Sequence, residues 1–171
     1  MKARVAIVTD STADIPAALA QERQIYTIPM QIIWGRETLR DGIDIDSAAF
    51  YERLASAKTL PTTSHPPLND FMRVFTQARE ETGAEAVVLL TISAQLSGAF
   101  NAGQQAARMV DFPAYVVDTR TGSIAHGLTA LALADARDEG LSPAQAVPLA
   151  EQLAARTKMI FALDTLEYLW R

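Results

Sequence analysis

Ala86-Val87-Val88-Leu89-Leu90-Thr91-Ile92 is a continuous apolar run that gives way at once to Ser93-Ala94-Gln95-Leu96-Ser97-Gly98. A run this short, rich in β-branched residues and bounded by polar ones, predicts a strand buried on both faces. Residues 99–110 then read as a helix that begins with almost no gap. A strand running directly into a helix is half of a βαβ unit, so this stretch fixes the class of fold.

The same pattern recurs on either side. Residues 4–9 form a second apolar run, ending in Asp10-Ser11-Thr12. Asp14, Ile15 and Pro16 then open a helix over 17–23, with proline inside the first turn. Residues 25–34 are β-branched and large apolar, and predict one further strand closed by a turn at Gly35. Asp46 caps a predicted helix over 47–57, with Phe50, Leu54 and Tyr51 on its buried side. A helix from Asn69 carries Phe71, Val74, Phe75 and Ala78 on one face. Residues 114–117 predict a strand closed by Asp118-Thr119, residues 122–138 a helix, and Ser142-Pro143 the start of another reaching Arg156. Residues 159–163 read as a last strand, followed by Asp164-Thr165.

Regular alternation of strand and helix predicts an α/β fold, a parallel sheet with helices on both faces. In such sheets the ligand crevice lies beyond the carboxyl ends of the strands. Asp10-Ser11-Thr12, Ser93, Asp118-Thr119 and Asp164-Thr165 all fall there, so one rim is lined with hydroxyls and carboxylates.

Composition narrows the function. The 171 residues are 49% apolar and 20% charged, with a net charge of -5, an ordinary globular balance. The acidic excess speaks against nucleic acid or an anionic membrane as partner. The chain has no cysteine, which excludes disulfides and thiolate chemistry. No apolar run reaches the length of a membrane span, and Asp10 interrupts the run that a signal peptide would need. The expectation is a cytoplasmic protein.

Two hydroxyl motifs stand out. Leu60-Pro61-Thr62-Thr63-Ser64-His65-Pro66-Pro67 sets three hydroxyls and an imidazole between prolines. Proline fixes φ and restrains the residue before it. Thr62, Thr63, Ser64 and His65 are therefore expected in a stiff, extended loop, neither helix nor ordinary strand. Such a loop either presents its side chains to a ligand or simply connects two elements. Ser97-Gly98 opens a helix, where unpaired N–H groups and the helix dipole favour an anion. Ser97 either caps its own helix or donates to a ligand there, and Gly98 lets a backbone or ligand approach closely. Together the motifs suit an anion clamp without metal or lysine, better matched to a carboxylate than to a phosphate.

The remaining polar groups carry less. Asp10-Ser11-Thr12 reads as a cap and turn, Asp41, Asp44 and Asp46 as a solvated turn plus a helix cap. Their spacing lacks the glycine and terminal glutamate of a calcium loop. His126, on an alanine-rich helix, reads as a surface or satisfied histidine. Ser97 as a hydrolase nucleophile lacks one glycine of the nucleophile elbow and an aligned histidine.

Taken together, residues 8–16 (Val-Thr-Asp-Ser-Thr-Ala-Asp-Ile-Pro), 60–67, 92–100, 117–119 and 164–169 resemble the DegV family of bacterial fatty-acid-binding proteins along the whole chain. The resemblance implies a two-domain α/β protein that binds one long-chain fatty acid, such as palmitate, in an apolar tunnel between domains. It implies no enzyme activity, catalytic residue, metal or cofactor. It places the carboxylate on Thr63 and Ser97, with Thr62, Ser64, His65 and Gly98 around it. Some members hand the fatty acid to a separate fatty acid kinase for phospholipid synthesis. Two departures follow. His65 stands where the family usually has glutamine. The chain also stops at Trp170-Arg171, so that residues 1–158 are expected to form the α/β domain and 159–171 the truncated start of a linking or second-domain segment. The alternatives are a serine hydrolase using Ser97 and a binder of another small carboxylate.

Overall fold

The computed structural model describes residues 4–162. Seven strands and six helices follow one another as β1 Val5–Asp10, α1 Ala17–Glu22, β2 Ile25–Ile28, β3 Gln31–Trp34, β4 Glu37–Arg40, α2 Ser47–Ser56, β5 Thr62–Ser64, α3 Leu68–Thr82, β6 Ala86–Thr91, α4 Ala99–Ala107, β7 Ala114–Asp118, α5 Ser123–Asp138 and α6 Pro143–Arg156. A 3-10 turn, Ser11–Ala13, follows β1.

Four strands pair in the order β2-β1-β6-β7, all parallel. Every residue of β1 and β6 is buried, and alternation divides them between two cores. Ala6, Val8, Val87 and Leu89 face α3 and α4, meeting Phe71, Val74, Phe75 and Ala102. Val5, Ile7, Val88 and Leu90 face α5 and α6, meeting Ala130, Leu133, Ala146 and Ala150. The α/β class and the helices on both faces are as the sequence predicts. Helix boundaries follow the caps: Asp46 accepts the Ala49 N–H at 2.8 Å, and Ser142 with Gln145 forms a capping box before Pro143.

Four expectations about the strands are corrected. Residues 25–34 are two strands in two different sheets. Pro29 has no N–H for the ladder, so parallel pairing with β1 stops at Ile28. The chain then enters a three-stranded antiparallel sheet of order β4-β3-β5. The sequence predicts a turn after Gly35 where β4 stands; its charged Glu37 and Arg40 are the residues of an exposed edge strand. Thr62, Thr63 and Ser64 form the opposite edge, Thr63 paired with Ile32. The prolines flank the three paired residues and cost the ladder nothing, which is why a proline-framed segment can still pair. Finally, residues 159–162 have no regular structure; Ile160 is 95% exposed. An apolar pattern without an adjacent strand to accept it does not make a strand. Leu163, Asp164-Thr165 and residues 166–171 lie outside the described residues.

The small sheet folds over α2. Ile32, Trp34 and Ile45 are buried against Leu39, Phe50 and Leu54. Trp34 contacts Phe50 with ring centroids 5.6 Å apart, and the Arg53 guanidinium lies 4.3 Å over the Trp34 ring. Tyr51, expected on the buried side, is 66% exposed.

At the carboxyl end of β1, Asp10 is wholly buried. Its carboxylate accepts the Ile92 N–H at 2.8 Å and the Thr12 N–H at 3.1 Å, and the Thr12 hydroxyl also donates to it. His126 on α5 is likewise wholly buried, neither exposed nor fully satisfied. Its Nε2 lies 2.8 Å from Thr9 Oγ1 and 3.2 Å from the Leu90 carbonyl, while Nδ1 has no hydrogen-bond partner and stands 3.9 Å from Asp10. Burial pushes the imidazole below the ordinary 6.5, partly opposed by the negative charge of Asp10. α5 reaches this position because Gly127 has no side chain; a Cβ there would overlap the Ala13 carbonyl oxygen.

A histidine with a lowered folded-state pKa takes up its proton more readily when unfolded, so stability rises with pH across its titration. Stability is therefore expected to be intact above pH about 6.5 and to fall as the pH drops below it. Chemical denaturation from pH 8 to pH 5 checks this, and His126→Gln should flatten the decline. An equally steep decline in the variant would assign it to other groups.

Candidate functional site

Three loops at the carboxyl ends of the parallel strands and one edge of the small sheet surround a cleft of about 550 Å3, within the range of small-molecule sites. One part of its lining is polar: Thr12, Asp14, Asp41, Thr63, Ser64, His65, Ser97, Gly98 and Ser123. The other is apolar, with Met30, Ile32, Phe50, Ile92 and Leu96 beside Tyr51. Neither lysine nor arginine lines it among the described residues.

The loop carrying Ser97 is built by acceptors on the sheet rim. Asp118 accepts the Ala94 N–H at 3.1 Å and the Arg120 N–H at 2.9 Å. Ser93 is buried; its carbonyl accepts the N–H groups of Leu96 and Ser97, and its own N–H donates to Thr121 at 2.9 Å. Ser97 is half-buried and its Oγ accepts the Ala99 N–H at 3.2 Å. That bond uses an oxygen lone pair and leaves the hydroxyl proton for a ligand, so capping and ligand binding are compatible roles for Ser97.

The facing element is β5. Of the proline-framed residues, Thr63, Ser64 and His65 line the cleft, and Thr62 is not among the lining residues. The Ser64 hydroxyl donates to the His65 carbonyl at 3.1 Å. His65 Nδ1 lies 2.9 Å from the Pro66 carbonyl oxygen. The imidazole lies against Gly98: a Cβ on that glycine would sit 2.9 Å from His65 Cδ2. The glycine thus admits the histidine ring, a neighbour inside the protein.

Acidic residues on the rim act as holders. Asp10 and Asp118 are bound to backbone N–H groups. Asp41 belongs to the site instead of a plain solvated turn: it accepts the Ser11 hydroxyl at 2.6 Å, and Ser11 Oγ in turn accepts the Met30 N–H at 3.0 Å. Asp14 accepts the Ser123 hydroxyl at 2.7 Å, with both residues in the left-handed region at φ 50° and 53°. Asp44 pairs with Arg40, whose hydrogen bonds hold its carboxyl down at about 2. No group of three or more histidine, aspartate or glutamate residues able to hold a metal occurs among the described residues.

Among the described residues no histidine nitrogen is hydrogen-bonded to a serine, and His126 is engaged with Thr9 in the interior. Sequence reasoning missed the Asp14–Ser123 and Ser11–Asp41 pairs and the apolar wall. The helical spacing of Phe50 and Leu54 marked part of that wall, whereas nothing local marks contacts between residues 30 or 109 positions apart.

Comparison with known proteins agrees with this architecture. The chain matches the DegV family, described as uncharacterised proteins, over residues 4–171. It is 34% identical to Protein DegV of Bacillus subtilis across 98% of this chain and 59% of that protein. It is 32% identical to a fatty acid-binding protein of Thermotoga maritima, across 97% and 59%. The crystal structure of DegV from Bacillus subtilis, described as a fatty acid binding protein, superposes with a TM-score of 0.83 and 32% identity over 89% of this chain and 54% of that one. The chain belongs to the DegV family. It spans about three fifths of the length of these curated relatives.

The contact between Gly98 and His65 is testable. Gly98 has φ −73°, which any residue adopts, so Gly98→Ala should displace the His65 ring with a stability change of less than about 1 kcal/mol. The His65 side-chain resonances should shift in NMR spectra while the melting temperature holds. Unshifted resonances would contradict the packing.

Proposed function

We propose that this chain binds a long-chain fatty acid, with its carboxylate at Thr63 and Ser97 and its acyl chain leaving along Met30, Ile32 and Phe50. The observation that carries the reading is the cleft's division into a hydroxyl-rich end without lysine or arginine and an apolar wall. A phosphate would call for Arg or Lys, and a short acid would leave the wall unused. The fatty-acid-binding descriptions of the Thermotoga and Bacillus relatives support it.

Energetics divide the roles. Burying about 14 methylenes at ~0.8 kcal/mol each supplies roughly 11 kcal/mol, against an association cost of ~4–15 kcal/mol. The tail supplies affinity and the hydroxyls set orientation. In this reading the protein is a carrier that does no chemistry itself, and it presents the bound acid to a fatty acid kinase. No helix among the described residues is long and apolar enough to cross a membrane, and a carrier needs none.

Denaturing organic extraction of the natural full-length polypeptide, followed by mass spectrometry, tests this. Near-stoichiometric long-chain fatty acid is expected. A hydrogen bond to a charged group is worth ~1.5–3 kcal/mol, so Thr63→Ala and Ser97→Ala should each weaken binding roughly 10- to 100-fold. An extract without fatty acid, and no uptake on addition, would overturn the proposal.

A further inference from the structure

His126 and Asp10 stand beside each other in the interior, both wholly buried, with no hydrogen bond between them. The ring's neighbours fix its tautomer. The Leu90 carbonyl, 3.2 Å from Nε2, can only accept. The Thr9 hydroxyl, 2.8 Å from the same nitrogen, gives its own proton to the Asp10 carbonyl. Nε2 is therefore the N–H of the neutral ring, shared between two acceptors, and Nδ1 is a bare lone pair. That nitrogen lies 3.9 Å from Asp10 Oδ1. The described residues already seal it from solvent, and none of them hydrogen-bonds to it. A lone pair beside a carboxylate is unfavourable, and a proton placed between them reverses the sign.

The charges acting on the imidazole favour that proton. Asp10 lies on β1, Asp14 follows the 3-10 turn, and Asp118 ends β7. β6 brings the Leu90 carbonyl and no ionisable group. Tyr26 of β2 is on the other face of the sheet, bonded to Glu81. Glu151 and Arg156 of α6 are exposed, and Asp135, Arg137 and Asp138 lie at the far end of α5. Burial opposes protonation and holds the imidazole below the ordinary 6.5.

The pair is wired to the cleft. Asp10 holds the Thr12 N–H at 3.1 Å, the Thr12 hydroxyl, and the Ile92 N–H at 2.8 Å. Thr12 and Ile92 both line the cleft, and α5 adds Ser123 to the same lining. The ring is fixed at Nε2 by its two bonds. Closing the gap to a charge-assisted hydrogen bond of about 2.8 Å therefore falls to the carboxylate, at the expense of its hold on Thr12 and Ile92.

We infer that His126 and Asp10 form an acid-operated latch on the cleft: one proton, taken from solvent onto His126 Nδ1, draws the Asp10 carboxylate into an ion pair, the Thr12 and Ile92 segments lose their anchor, and the bound ligand is released. The only bond made is N–H. The latch rests on the cleft being the ligand site, and on the fatty-acid reading above for the ligand's identity. The ligand-bound form excludes a proton that the empty form accepts. Through His126, binding is thus independent of pH above about 6.5 and weakens below it, by up to about tenfold per pH unit for one coupled proton.

Two measurements on the natural full-length polypeptide, native and His126→Gln, test the latch from pH 7.5 to pH 5. Palmitate affinity is measured by competition with a cyclodextrin carrier. The ligand's own ionisation acts on both proteins alike, so the ratio of native to variant affinity isolates the contribution of His126. NMR spectra of the lipid-free proteins follow the His126 ring and the Thr12 and Ile92 amides. The ratio should hold at the upper end of the range and fall, by up to about tenfold per unit, once the His126 ring titrates. The two amides should shift with the midpoint of that ring and stay in place in the variant. A ratio independent of pH, or amides that shift equally in the two proteins, overturns the latch and leaves the carrier reading intact. If neither protein binds palmitate, the carrier reading fails, and the NMR titration decides the latch alone.

Discussion

The buried carboxylate of Asp10 is the constraint on which the cleft depends. A charge in the interior is tolerable only when its oxygens are occupied. Asp10 meets that demand by accepting N–H groups from two separate segments, the turn after β1 and the loop after β6. Satisfying one carboxylate therefore fixes two loops relative to each other at the rim of the sheet. Asp118 repeats the device one strand further on, taking the N–H groups of Ala94 and Arg120. The loop that carries Ser97 is consequently pinned from both sides by acids that accept backbone N–H groups and do not line the cleft. His126, pressed against Asp10 with an unpartnered nitrogen, is part of the same buried knot.

The second half of the site comes from a change of sheet. At Pro29 the chain leaves the parallel sheet, and within a few residues it has become the central strand of a small antiparallel one. This brings β5, with Thr63, across from the Ser97 loop, and it sets Ile32 between the core of the small sheet and the cleft. Ser11 joins the two sheets by accepting from Met30 and donating to Asp41. A polar end backed by pinned loops and an apolar wall backed by a separate small core follow from that one switch. Hydroxyls set on pinned backbone in this way would need little reorganisation to meet the proposed carboxylate.

The main sheet was legible because its strands are buried on both faces and write themselves as unbroken apolar runs, residues 86–92 above all. The helices were legible from caps such as Asp46 and Ser142-Pro143. The edge strands were not. β4 and β5 are short, half exposed and polar, so no periodicity separates them from turns, and only the partner strand β3 makes them strands. The lining of the candidate cleft was legible in part: Thr63, Ser64, His65, Ser97 and Gly98 border it, whereas Thr62 is not among the lining residues. Asp14, Asp41 and Ser123 were read as turn and helix residues because the contacts that bring them to the cleft are long-range. The identity of the partner that Gly98 accommodates, the ring of His65, is a property of packing and has no local signature.

The central claim is that the carboxylate of the bound acid sits between β5 and the Ser97 loop. A crystal structure of the natural full-length polypeptide, purified with its lipid, tests it most directly. The account predicts a fatty-acid carboxyl within hydrogen-bonding distance of both Thr63 Oγ1 and Ser97 Oγ, with the acyl chain passing over Ile32 and Phe50. A fatty acid bound in the reverse direction, or a cleft filled by a different molecule, would contradict it.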